Sequence, residues 1–388
     1  MNDSFVDGAM NRLSPALLQR LPSSGQVLPF VEVMELFLYH PQVGYYMVQK
    51  PRLGREGDFV TAPEMTSLFG ELLAQQFYEV WQRMGSPDGF QIVEVGGGSG
   101  VLAVDILTAC RTLPEFFRAI HYHLVEISPD FRLRQQEILA GFPVSWHTNL
   151  DDLNDIRGVV FGNELLDAFP VHWLRLAASG WQEMGVCVDQ ECLVATPLDN
   201  PTPQVAAALS RLPADLPEGY ETELGLPGES WVFLASQRLQ QGILLFIDYG
   251  YPRHEYYHPA RPQGTLVGYH QNQQIADPLA FPGEMDLTAH VDFTAMAEAG
   301  QRAGLSLLGY TSQSWFLLGL GLLQRLAAQE GVLAGEPLSR LRQSVMRLIM
   351  PGGMGERFQV LAMGRGLSAA PPLAGFAENN RLDRLFPT

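Results

Sequence analysis

The run Ile92-Val93-Glu94-Val95-Gly96-Gly97-Gly98-Ser99-Gly100-Val101-Leu102 constrains what this chain can fold into more than any other stretch. An apolar strand ends in an acid, and a glycine cluster then turns directly into a helix beginning near Val101. Backbone without Cβ atoms can pass close to a ligand, and the first turn of the helix offers free N–H groups. The spacing narrows the choice of ligand. A dinucleotide fingerprint, G-x-G-x-x-G counted from Gly96, needs its third glycine at residue 101, where Val stands. A P-loop needs Gly-Lys-Ser/Thr, and the run contains no Lys. What remains is E-x-G-x-G-x-G, with a tight turn that holds no ligand as the competing interpretation.

A chain of 388 residues with 46% apolar residues can bury a large core and fits an ordinary α/β protein. Its net charge of −17 argues against a nucleic-acid substrate and suits a basic partner, such as an Arg- or Lys-bearing protein segment. Cys110, Cys187 and Cys192 follow no C-x-x-C spacing and are expected to be reduced thiols. The start, Met1-Asn2-Asp3-Ser4-Phe5-Val6-Asp7, lacks the basic and apolar regions of a secretory signal. The apolar stretch Trp315 to Leu326 is too short to span a bilayer, so no membrane insertion is expected and the cytoplasm is the default location.

Helical spacing appears over Val31–Tyr39 and Glu64–Met84. A Rossmann-like rhythm then begins: strands at Phe90–Val95, His121–Ile127, Val144–His147 and Gly158–Asn163, with helices at Val101–Leu113 and Pro129–Ala140, the latter capped by Ser128. The alternation breaks at an antiparallel meander (Trp173–Leu176, Trp181–Val188, Leu193–Ala195) and a proline-rich insertion or cap. Gly242–Asp248 is nearly all apolar, as expected for a strand buried on both faces. A Tyr-, His- and Pro-rich loop runs from Pro252 to Pro282. Further helices are expected at Phe293–Ala303, Phe316–Gln329 and Pro337–Ile349, strands at Leu305–Tyr310 and Gln359–Gly364, and a partly disordered tail from Leu367. The resulting division is an N-terminal helical and loop extension (1–85), a Rossmann-like core (86–172 and 240–365), an inserted cap (173–239) and a tail (366–388).

In an open parallel sheet, ligands collect at the carboxyl ends of the strands. The polar residues there are Glu94, Glu126, Asn163-Glu164 and Asp248. Glu126 is placed to accept both ribose hydroxyls of an adenosine, with helix capping as the alternative. Asp152, in the acidic pair after the third strand, could meet an adenine amino group or simply form a turn.

Five segments, in order, carry a specific resemblance: Gly57-Asp58-Phe59-Val60-Thr61-Ala62-Pro63-Glu64, Val93 to Gly100, Asn163-Glu164-Leu165-Leu166-Asp167-Ala168-Phe169-Pro170, Ile247-Asp248-Tyr249-Gly250 and Asp286-Leu287-Thr288-Ala289-His290-Val291-Asp292-Phe293. Together they resemble the MidA family of class I S-adenosylmethionine (SAM)-dependent methyltransferases over about residues 30 to 365. The family's turn more often reads G-P-G-R-G; here Pro and Arg are absent but Gly96, Gly98 and Gly100 remain. The resemblance implies SAM as cofactor and a protein arginine as acceptor, since the family includes a mitochondrial methyltransferase that makes symmetric dimethylarginine on a respiratory complex I subunit. Asp58 and Thr61 would then reach the methionine end of the cofactor.

Glu164 and Asp167 are the best candidates to pair with a guanidinium and orient one nitrogen, because a carboxylate matches its planar fork. Asn163 can serve amide or cofactor, and Asp248 is a third carboxylate or a backbone organiser. His290 is an acid/base or a structural histidine, and His254, His258, His270, Tyr256, Tyr257 and Tyr269 are candidates for an acceptor pocket. No His spacing matches a zinc site, so no metal is expected. Methylation of a small molecule or another side chain, and a SAM-binding assembly factor acting by partner binding, stay open as alternatives. The oligomeric state is also open.

Overall fold

A computed structural model describes residues 17, 21, 26–48, 62–190 and 192–387. Asp58 and Thr61 lie outside the described residues. The short strand β1 (Leu28–Pro29) leads into helix α1 (Phe30–Tyr39), and a 3-10 turn (Ala62–Glu64) precedes helix α2 (Leu68–Arg83). Then come β2 (Phe90–Val95), α3 (Val101–Cys110), β3 (Ile120–Val125), α4 (Pro129–Ile138), β4 (Val144–His147) and β5 (Ile156–Asn163). Ser128 caps α4 by accepting from the Phe131 N–H, with Pro129 opening the helix.

After β5 the chain leaves the core to form β6 (His172–Ala177), β7 (Gly180–Asp189), β8 (Cys192–Pro197) and β9 (Glu221–Leu224), then returns through α5 (Leu226–Arg238) to the long β10 (Leu239–Tyr251). Strands β11 (Val267–His270), β12 (Gln273–Ile275) and β13 (Asp286–Thr288) make a small antiparallel sheet within the stretch expected to be only a loop. The bridge β14 (Val291–Asp292) and helix α6 (Phe293–Arg302) precede β15 (Ser306–Ser312), and β16 (Phe358–Arg365) closes the core.

The main sheet runs β15-β16-β10-β5-β2-β3-β4, with β14 on the end of β10. Strands β10, β5, β2, β3 and β4 are mutually parallel, and β16 is antiparallel to both its neighbours. This is a Rossmann-like α/β sheet in which the antiparallel β16 is inserted between β10 and β15. Side chains alternate across it: Val159, Phe161, Ile243 and Leu245 join the core under α2 and α3, whereas Val160, Leu244 and Phe246 join the core under α5 and α6. The chain moves from β2 outward through β3 to β4 and then crosses back to β5, so the order switches between β2 and β5 and leaves a crevice at their carboxyl ends.

Helix α1 shares a third core with the inserted sheet, where the rings of Phe30 and Trp173 meet edge-on at 5.5 Å, and β1 pairs antiparallel with β7. Two further expectations are corrected. The helix expected over Phe316–Gln329 is two helices, Gln313–Gly319 and Leu322–Glu330, because Gly321 at φ +89° breaks it. The tail is ordered rather than partly disordered: Leu373, Phe376 and Leu385 are buried, Gly375 donates to Gln76 Oε1 at 3.1 Å, and Arg381 donates its backbone N–H to Tyr310 O at 2.6 Å. No helix among the described residues is long and apolar enough to cross a membrane.

Candidate active site

A cavity of about 390 Å³ lies over the crevice between β2 and β5. The glycine turn forms one wall. Gly96 and Gly98 have φ of +70° and +51°, which side-chain-bearing residues rarely adopt. At Gly97 an added Cβ would sit 2.5 Å from Leu124 Cδ2, so the turn presses directly onto β3. Gln135 of α4 ties the turn to the neighbouring acid: its Nε2 donates to Gly98 O at 2.9 Å and to Glu126 Oε2 at 3.1 Å. Gly100, at φ +83°, caps α3 and does not line the cavity.

Glu126 lines the cavity with its other oxygen held by the Ser128 N–H at 2.9 Å. Burial pushes its carboxyl up, and these hydrogen bonds oppose the shift. Glu94 also lines the cavity and accepts from Tyr122 Oη at 2.6 Å. Burial pushes it up to about 7, with the Tyr122 bond pulling down and the Glu126 charge pushing up. Beyond Glu126 the wall is Asn149 and Leu150. Asp152 does not reach it: Asp152 is exposed and accepts from the Asn149 N–H at 3.4 Å in a capping box, while Asp151 pairs with Arg238 at 2.8 Å.

The loop after β5 forms the opposite wall. Asn163 and Glu164 line the cavity, with Asn163 Nδ2 donating to Glu164 Oε1 at 3.1 Å. Asn163 Oδ1 is buried and has no hydrogen-bond partner among the described residues, so it is open to a donor from a ligand. Glu164 stands at φ +52°, and burial, followed by the charge of Asp167, pushes its carboxyl up to about 8. The Ala62 N–H, from the segment preceding α2, hydrogen-bonds the same carboxyl and lowers it somewhat.

Asp248 and Asp167 sit behind this wall rather than in it. The Asp248 carboxylate accepts from the backbone N–H groups of Leu165 (3.0 Å), Leu166 (2.8 Å), Asp167 (3.3 Å) and Tyr249 (2.9 Å). It therefore shapes the loop, and of the two roles open to it in the sequence the geometry favours backbone organisation. Asp167 accepts from the Tyr249 hydroxyl and is pushed up to about 6 by burial; its Oδ1 is buried without a partner among the described residues. His290 is also outside the cavity. Its ring packs against Tyr249 and Tyr251 at 5.2 Å and 5.4 Å, and burial pushes it down to about 4, which keeps it neutral.

The Tyr- and His-rich stretch after β10 does not line the cavity either. His270 stacks on Phe281 at 4.2 Å, Tyr256 and Tyr257 are buried, and none of His254, His258 or Tyr269 reaches the cavity. Phe131, Phe169 and Trp231 do line it, and so do two aromatic residues of the N-terminal extension. Tyr39 and Tyr46 stack at 5.5 Å, the Tyr39 hydroxyl donating to Ala168 O at 2.8 Å and the Tyr46 hydroxyl to Asp286 Oδ1 at 2.6 Å. Glu64, from the 3-10 turn, accepts from the Ser99 hydroxyl and closes the cavity beside the glycine turn. Among the described residues, no three His, Cys, Asp or Glu side chains form a group that could hold a metal ion.

These features fit SAM: a Cβ-free cradle at Gly96–Gly98, a buried carboxylate at a strand end for a ribose diol, an open amide oxygen at Asn163, and carboxylates at Glu94 and Glu164 for a cationic ligand. The family model of S-adenosyl-L-methionine-dependent methyltransferases matches residues 72–311. A Drosophila melanogaster relative named protein arginine methyltransferase NDUFAF7 homolog, mitochondrial, is 32% identical over 96% of this chain and 90% of its own length. The Mus musculus protein arginine methyltransferase NDUFAF7, mitochondrial, is 32% identical over 91% of this chain and 85% of its own. Among solved structures, a Burkholderia thailandensis protein crystallised with S-adenosyl-homocysteine superposes with a TM-score of 0.86 at 36% identity, covering 95% of each chain. The cytoplasmic location expected from the sequence is overturned by these relatives, whose names place them in mitochondria. The chain belongs to the MidA-like family of SAM-dependent methyltransferases, and SAM is its cofactor.

Proposed function

We propose that this enzyme methylates an arginine side chain of a protein substrate. The observation that carries this is the pairing of Glu164, which lines the cavity, with the buried Asp167 behind it. SAM supplies a methyl group on a sulfonium, which an acceptor attacks in line, so positioning and proton removal are what the protein adds. A guanidinium is cationic and a poor nucleophile until one nitrogen loses its proton. Glu164, held neutral near pH 7 by burial, ionises when a guanidinium approaches and can then accept that proton. Asp167, fixed through Tyr249 and by its place on the loop that Asp248 gathers, adds negative charge behind it.

On the donor side, we assign Glu126 to the ribose hydroxyls, Gly96 and Gly98 to close approach of the cofactor backbone, and Glu94 to the amine of its methionine portion. The relatives named as protein arginine methyltransferases support the acceptor class. Symmetric dimethylation, and a respiratory complex I subunit as target, are the forms of this reaction that the resemblance favours. A labelled-methyl assay tests the assignment: Glu164→Gln retains SAM binding and loses transfer, and transfer equal to wild type would remove Glu164 from the mechanism.

A further inference from the structure

The cavity opens on its Tyr39 side into a surface trough. Glu35, Tyr39 and Pro170 belong to both, and the trough continues along α1 past Val31, Glu32 and Leu36 to Pro227 of α5. Helix α1 explains the shape. Phe30, Val33, Met34, Phe37 and Leu38 are buried in the third core, which turns residues 32, 35, 36 and 39 outward as one stripe. Pro41, Pro170 and Pro227 line the trough as well, and proline has no N–H to present.

We infer that this trough docks the extended chain flanking the methylated arginine, and that it selects a segment with basic residues beside that arginine. The inference rests on the arginine acceptor proposed above. Three observations point to it. First, with the donor assigned to the end of the cavity that holds the glycine turn and Glu126, the side left for the acceptor is the Tyr39 side, where the trough begins. Second, the charged residues on the trough are Glu32 and Glu35, and no Lys or Arg lines it among the described residues. This makes the approach route acidic. Third, the stripe from Val31 to Tyr39 is about 12 Å long, the span of about four residues of extended chain. The Tyr39 hydroxyl is fixed on Ala168 O, so the junction between trough and cavity is held in shape.

The test uses the full chain loaded with S-adenosyl-homocysteine and three fluorescent peptides in which a single arginine is flanked by lysines, serines or glutamates. Exposed ion pairs are individually weak, so wild type is expected to bind the lysine-flanked peptide about three- to tenfold more tightly than the glutamate-flanked one at low salt. Glu32→Lys is expected to erase or invert that order, its retained affinity for S-adenosyl-homocysteine showing that it folds. Equal affinity of wild type for the three peptides, or a preference that Glu32→Lys leaves unchanged, would overturn the inference. The same peptides are then offered labelled-methyl SAM. A charge preference that follows Glu32 without label on arginine would remove the arginine acceptor and keep the trough; label on arginine with no charge preference would do the reverse.

Discussion

Replacing Glu164 by Gln keeps the side-chain volume and the amide contact with Asn163 while removing the ionisable oxygen. In the wild-type chain, burial and the neighbouring Asp167 put this carboxyl at about 8. The free enzyme is therefore mostly protonated at that group at pH 7 and mostly ionised at pH 9. If the ionised form takes the guanidinium proton, kcat/KM for the acceptor rises about tenfold between pH 7 and pH 9, with an inflection near 8. A bound cation stabilises the carboxylate, so the inflection in kcat lies below the one in kcat/KM. A positioned general base contributes about 100- to 10,000-fold, so Glu164→Gln loses that much of kcat and the inflection with it. Transfer from labelled-methyl SAM into an extract of cells lacking this protein, followed from pH 6 to 9.5, reads both quantities. A variant within threefold of wild type, or one that keeps the pH inflection, would refute the reasoning.

The same group gives a stability prediction of definite sign. Glu164 holds its proton more tightly folded than unfolded, so wild type loses stability relative to Glu164→Gln as pH rises from about 4.5 through 8; thermal melts of both without cofactor should diverge in that order, and parallel curves would count against it. Glu126→Ala removes the carboxylate assigned to the ribose hydroxyls and should weaken SAM binding about 100-fold by calorimetry, from two charge-assisted bonds of about 1.5 kcal/mol each. Gly98→Val forces a β-branched residue to φ +51°, and its SAM affinity should fall at least about tenfold; unaltered binding in both variants would sink the donor assignment. Asp248→Asn cannot accept from four N–H groups as the carboxylate does, and should destabilise the fold by about 2–4 kcal/mol in urea melts. An unchanged melt with lost transfer would instead return Asp248 to the chemistry.

The glycine-turn wall of the cavity was legible in the sequence because local rules write it. Glycines that a strand–helix turn demands, and acids at the ends of apolar strands, stand within a few residues of the structure they make. The tyrosines on the acceptor side were not, because their contacts are remote. Tyr39 read as a helix end, yet it and Tyr46 bond to partners 129 and 240 positions away. Asp248 left two roles open since the N–H groups it gathers lie about eighty residues earlier in the chain. Asp152 misled in the opposite sense: an acid after the third strand has the right address, but its oxygen is used by a local capping box. The helix over Phe316–Gln329 has an unbroken apolar pattern that hides the left-handed Gly321, and the order of the tail comes from burying Leu373, Phe376 and Leu385 against the core.

The central claim is an arginine on a protein as methyl acceptor, and the identity of the labelled species tests it most directly. Purified enzyme, labelled-methyl SAM and an extract of cells lacking this protein should place label in protein, released on acid hydrolysis as methylated arginine and absent with Glu164→Gln. Label in a small molecule, or on another side chain, would contradict the account while leaving the SAM-dependent fold intact.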